Sequence, residues 1–143
     1  MLSFLLANWI MVAIAIISGG LLLGDSILAM FDTCPAVDTA QATQLINRER
    51  AILIDVREPE EVLAGKIRNA RLIPLAKLES ELNALKKFKD RPVILICASG
   101  NRAKTACKLL LKNEFTRAVV LKDGIAGWKK DQLPLENISS EKA

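Results

Sequence analysis

Histidine and tyrosine are absent from this 143-residue chain. Without histidine, no Ser-His or Cys-His pair can form within it, and no histidine-containing zinc site. Without tyrosine, and with its basic residues scattered singly, the chain has no basic-plus-aromatic nucleic-acid signature, so no nucleic acid is expected as a partner. Cysteine is scarce: Cys34, Cys97 and Cys107 lack zinc-type CxxC spacing, and an odd count fits poorly with a disulfide framework. Neither a metal nor a cofactor is expected. Any catalysis rests on thiol, carboxylate, amine or guanidinium groups. Charge is missing from residues 1–24, and all twenty Lys and Arg lie from Arg48 onward. Residues 39–143 carry twenty basic against thirteen acidic side chains, a net of about +7. That excess favours anionic partners such as small oxyanions, acidic proteins or an anionic lipid surface.

Residues 2–24 form an uncharged run, LSFLLANWIMVAIAIISGGLLLG. As one helix it would reach about 34 Å at ~1.5 Å per residue, against a hydrocarbon core of ~30 Å. A cleaved signal peptide is the rival reading, but the basic n-region and an A-x-A-like site are both missing. Residues 1–24 are therefore expected to be a retained transmembrane anchor. Neither flank carries Lys or Arg, so the positive-inside rule gives no orientation. A working free thiol survives best in a reducing compartment. This predicts a single-pass protein of a bacterial inner membrane with its C-terminal domain in the cytoplasm. Gly20 and Gly24 form a GxxxG pattern, which can pack two such helices or arise by chance. Residues 25–37 read as a juxtamembrane linker containing Pro35, and Cys34 within it is either an inert thiol or a palmitoylation site.

From residue 38 the pattern alternates. Asp38 or Thr39 can cap a helix running to Glu49, with Ala42, Leu45 and Ile46 on one face. Ala51–Val56 and Pro92–Cys97 are continuous apolar runs, as in strands buried on both faces. Between them lie a short helix from Pro59, a short strand at Arg71–Pro74, and a helix marked by Leu78, Leu82 and Leu85. A helix over residues 101–113, a strand at Ala118–Leu121 and a short helix over residues 124–130 complete the series. Residues 137–143 read as a polar tail. Alternating strands and helices predict an α/β domain, a mostly parallel sheet with helices on both faces.

Ligands of such folds gather beyond the carboxyl ends of the strands, where Cys97 ends its strand. The segment Cys97-Ala98-Ser99-Gly100-Asn101-Arg102 has small residues and a glycine that let the backbone curl around the sulfur. Converging amides, the start of a helix and Arg102 would stabilise an anion there. They favour the thiolate, the form that attacks sulfur. The rival reading is a buried structural cysteine.

Further motifs make the domain recognisable. Residues 53–61 (LIDVREPEE) supply a strand and turn; Ala64-Gly65-Lys66-Ile67, Asn69-Ala70 and Ile73-Pro74-Leu75 follow, and residues 121–128 (LKDGIAGW) close the series. With the Cys97–Arg102 loop, these make residues 38–136 resemble a single-domain rhodanese, the sulfurtransferase family. The expected fold is thus a rhodanese-like parallel sheet flanked by helices, preceded by one N-terminal transmembrane helix. The resemblance implies a Cys97 persulfide, formed from a small sulfur-donor anion and passed to a thiol or protein acceptor at the membrane surface. It makes Ala98, Ser99, Gly100, Asn101 and Arg102 the substrate cradle. Asp55 and Arg57 lie at the neighbouring strand end, and a direct substrate role and a structural salt bridge both stay open for them. Trp128 reads as core. Lys66 stands where the family usually has histidine, Asp123 replaces a glycine, and Ala98 stands where many active members place a residue that helps hold thiosulfate. Related phosphatases have five residues between cysteine and arginine; four stand here, which favours sulfur over phosphate.

Cys107 could resolve a Cys97 disulfide or simply face the core. Lys86–Arg91 could meet an anionic surface or be a solvated loop. The competing function is a non-catalytic rhodanese-fold module that binds a membrane-protein partner.

Overall fold

Among the described residues, five strands form one parallel sheet, in the order Ala36–Val37 (β1), Ala118–Leu121 (β5), Val93–Ile96 (β4), Ile52–Asp55 (β2) and Arg71–Leu72 (β3). The computed structural model describes residues 1–31 and 34–138, with side chains for 1–24 and 34–138. The chain divides into two compact units, Met1–Thr33 and Cys34–Ala143.

The first unit contains α1 (Leu2–Ala7) and α2 (Trp9–Phe31). Here the expectation of one transmembrane helix is corrected. Among the described residues, no helix is long and apolar enough to cross a membrane. The physical reason is the break at Asn8, which caps α1 and whose side-chain amide donates to the Phe4 carbonyl at 2.9 Å. The uncharged run is thereby split between α1 and the part of α2 from Trp9 to Gly24. Placement in a bacterial inner membrane with a cytoplasmic domain falls with the span. Residues 32 and 33 of the expected linker, and most of the expected tail 137–143, lie outside the described residues.

The second unit comprises β1 (Ala36–Val37), α3 (Thr39–Glu49), β2 (Ile52–Asp55), α4 (Pro59–Val62), β3 (Arg71–Leu72), α5 (Leu75–Leu85), a 3₁₀ turn (Lys86–Phe88), β4 (Val93–Ile96), α6 (Asn101–Lys112), β5 (Ala118–Leu121) and α7 (Gly124–Lys130). Local chemistry explains the boundaries. The Asp38 carboxylate accepts from the Gln41 amide at 2.7 Å, while the Gln41 side chain accepts from the Asp38 amide at 3.0 Å. This reciprocal cap starts α3 and contributes about 0.5–2 kcal/mol. Pro59 opens α4 with its φ already helical.

Side chains of β4 alternate between two cores, as a pleated strand requires. Val93 and Leu95, with Cys97 just beyond, pack against α5 and α6 beside Leu78, Leu82, Ala106 and Leu110. Ile94 and Ile96 pack on the other face with Ala42 of α3 and with Ile125 and Trp128 of α7. Each fully buried Leu or Ile contributes roughly 1.5–3 kcal/mol, so β4 is the best-anchored strand. Trp128 is a core residue whose indole N–H donates to the Pro134 carbonyl at 3.0 Å.

Cys34 and Cys107 are joined as a disulfide, with 6.1 Å between their Cα atoms. The odd cysteine count had argued against any such bond. Pairing of β1 with β5 brings the residue before β1 alongside α6, where Cys107 is buried. Cys107 thus faces the core, and its sulfur is bonded to Cys34 rather than to Cys97.

Candidate active site

Parallel strands put their carboxyl ends on one side of the sheet, and β2 and β4 are neighbours with Asp55 opposite Ile96. The turn after each strand therefore opens at the same place. Cys97 follows β4, is 1% exposed and is the free cysteine among the described residues. Its Sγ accepts a hydrogen bond from the Gly100 amide at 2.8 Å. Gly100 has φ +105, a region that L side chains rarely adopt, so glycine lets the loop turn its amide onto the sulfur. α6 begins at the next residue, and the first-turn amides of a helix have no acceptor within it. Ala98, Ser99 and Asn101 are exposed around the buried sulfur.

α7 braces this loop from the other side. The Ile125 amide donates to the Cys97 carbonyl at 2.9 Å and the Ala126 amide to the Ala98 carbonyl at 3.3 Å. Gly124 has φ +54, and a Cβ there would lie 2.1 Å from the Cys97 carbonyl oxygen. No larger residue fits that contact without moving the loop or the helix.

Two ion pairs border the site. Asp55 and Arg57 are buried: Nη2 of Arg57 donates to Asp55 Oδ2 at 2.7 Å and to the Gly65 carbonyl at 2.9 Å. Nε of Arg57 donates to both Asp55 oxygens, at 3.0 and 3.1 Å. Glu61 and Arg102 form the second pair at the rim, through Nη1 to Oε2 at 2.7 Å and Nη2 to Oε1 at 2.6 Å. The hydrogen bond from Arg102, then that from the Glu58 amide, lowers the Glu61 carboxyl to about 2. A cavity of about 270 Å³ lies here, lined by Arg57, Glu61, Ala98, Ile125, Ala126 and Lys129. Among the described residues, no group of His, Cys, Asp and Glu could hold a metal ion.

The structure therefore places Cys97, Ala98, Ser99 and Gly100 in the turn after β4 and Asn101 and Arg102 at the start of α6, with Asp55 at the end of the adjacent strand and Arg57 in the turn that follows it. Sequence reading missed Glu61 as the partner of Arg102, 41 residues away, because nothing local encodes that contact. It also missed Lys129, which reads as an ordinary surface lysine. Gly124 was visible only as part of a motif, and its contact with the Cys97 carbonyl was not.

A model of the rhodanese-like domain matches residues 38–131. The chain belongs to the rhodanese-like domain family. It is 35% identical over 100 residues to the uncharacterized protein YibN of Escherichia coli K12, covering 69% of this chain and 70% of that protein. It is 31% identical over 100 residues to a sulfurtransferase of Allochromatium vinosum, covering 69% of this chain and 92% of that one. Among solved structures, a rhodanese-related protein of Thermoplasma volcanium superposes with a TM-score of 0.64 and 28% identity, covering 71% of this chain and 97% of its own. The α/β fold with helices flanking a parallel sheet is that of the family, and the family likeness supports sulfur transfer as its general chemistry.

Proposed function

We propose that this chain is a sulfurtransferase whose Cys97 carries sulfane sulfur as a persulfide. The observation that carries the reading is the buried Cys97 sulfur at the end of β4, receiving the Gly100 amide at 2.8 Å inside a four-residue loop closed by Arg102. An amide aimed at sulfur stabilises negative charge on it, whether as thiolate or as persulfide anion. It does so without histidine, which this chain lacks.

The cycle is self-balancing. The Cys97 thiolate attacks the outer sulfur of a small donor anion such as thiosulfate; the new S–S bond forms as the donor's own S–S bond breaks, and sulfite leaves with the electron pair. A thiolate acceptor, free or on a protein, then attacks the outer sulfur of the persulfide and releases the Cys97 thiolate. No external oxidant or reductant is required. In this reading the amides of the loop from Ala98 to Asn101 and the Arg102 guanidinium hold the transferring sulfur. Asp55 and Arg57 shape the pocket, since most of the Arg57 donors are already engaged by Asp55 and Gly65.

Intact-mass measurement after exposure to thiosulfate or a thiol persulfide tests the assignment. The full chain is expected to gain one sulfur atom, and the Cys97→Ser variant none. If the wild-type chain gains no sulfur from any donor, a non-catalytic binding module becomes the better account.

A further inference from the structure

The rim of the site holds a charge arrangement that opposes its expected use. Arg102 is the loop's own cation and the natural counter-charge for an incoming sulfur oxyanion. Yet both of its terminal nitrogens are engaged by the Glu61 carboxylate, at 2.7 and 2.6 Å. Arg57, the other guanidinium bordering the cavity, is neutralised by Asp55. What remains is Lys129, which lines the same cavity and has no ion pair among the described residues. The mouth of the site therefore presents two guanidiniums already paired with carboxylates and the exposed Lys129 ammonium, while Lys130 lines a neighbouring cavity with Ser99.

Glu61 itself lines the cavity, so a donor entering it meets the carboxylate that already occupies Arg102. An anion that needs Arg102 must either displace this carboxylate or bind beside it. Like-charge repulsion grows with the charge of the donor and with exclusion of water. The obstacle is greater for a dianion than for a monoanion. The other lining side chains, Ala98, Ile125 and Ala126, are apolar and offer a dianion no compensating donor, but they suit the organic part of a larger molecule.

We propose that Glu61 is a specificity-determining positioning residue: by holding Arg102 in a two-point ion pair, it shifts the site from dianionic sulfur donors towards monoanionic ones with an apolar body. Glu61 does not touch the reacting sulfur and acts through Arg102. The proposal rests on the sulfur-transfer reading and deepens it.

Two donors that differ in charge but share their chemistry separate the outcomes. Thiosulfate is a dianion and benzenethiosulfonate a monoanion; each gives its outer sulfur to the Cys97 thiolate, releasing sulfite or benzenesulfinate. With cyanide as acceptor, thiocyanate formation follows turnover of the full chain. Glu61→Gln removes the charge while its carbonyl oxygen can still accept from the Glu58 amide, which Glu61 now receives at 2.8 Å. The ratio of kcat/KM for thiosulfate over benzenethiosulfonate is expected to rise about three- to tenfold in this variant, chiefly through a lower KM for thiosulfate. Glu61→Asp keeps the charge and is expected to stay near the wild-type ratio. The proposal is overturned if Glu61→Gln leaves the ratio unchanged or lowers it, or if Glu61→Asp moves it as far as Glu61→Gln, the mark of a merely structural role. Failure of wild type to load sulfur from either donor sinks the underlying reading as well, and that failure is visible before any variant is made.

Discussion

Asp55–Arg57 and Glu61–Arg102 are both carboxylate–guanidinium pairs at the mouth of one site, yet they differ in burial. The first has side chains 1% and 5% exposed, the second 37% and 35%. Burial turns an ion pair into scaffold, because neither partner can be left alone in a low-dielectric interior. Exposure leaves a pair adjustable, since water and salt can replace either partner. The buried pair holds the turn after β2 to the Gly65 backbone. The exposed pair sets the charge that an approaching donor meets.

Removing one partner from each pair should break this comparison most visibly. Arg57→Ala leaves the Asp55 carboxylate buried and unpaired, and an unfolding free-energy loss of about 3–5 kcal/mol is expected in urea titrations. Arg102→Ala is expected to cost less than about 1 kcal/mol of stability, while slowing the loading of sulfur onto Cys97 in a mass-resolved time course. Similar stability losses for the two variants would erase the distinction between scaffold and rim.

A smaller effect should follow from disturbing the brace beneath both pairs. Gly124→Ala places a methyl group against the Cys97 carbonyl at a backbone conformation that L residues rarely adopt. Strain at such positions costs about 1–3 kcal/mol. The variant should melt at lower temperature and load sulfur more slowly, because the carbonyls of Cys97 and Ala98 must shift to relieve the contact. A variant that melts lower but loads at the wild-type rate would show that α7 supports the fold alone.

The scaffold of this site was far more legible in the sequence than its rim. Val93 to Ile96 read as a buried strand because a run apolar on both faces has few other homes, and α3 was bounded by the Asp38 cap. The Cys97 loop followed from a strand end, a glycine and an arginine in order. Contacts between distant segments were not legible. Glu61 meets Arg102 only because β2 and β4 are neighbours, and Cys34 reaches Cys107 only because β1 pairs with β5. The uncharged run over residues 2–24 misled for a related reason. Hydropathy averages over the segment, whereas Asn8 divides it by capping one helix before the next begins.

The smallest expected effect is a pH dependence that marks the exposed pair. Glu61 is lowered from 4.5 to about 2, first by the Arg102 hydrogen bond and then by the Glu58 amide, with burial opposing both. A carboxyl whose folded pKa lies below its unfolded value binds fewer protons in the native state near neutrality. Its contribution to stability is therefore complete above about 4.5 and is lost as pH falls towards about 2. Because Glu61 is 37% exposed, solvent screening limits that contribution to about 1 kcal/mol or less. The difference in unfolding free energy between wild type and Glu61→Gln should accordingly be flat from neutrality down to about pH 5. Below that it should shift against wild type, and high salt should shrink the shift. A difference that stays constant across the acid range would mean that the pair contributes nothing to stability, and that Glu61 acts on the site only through its charge.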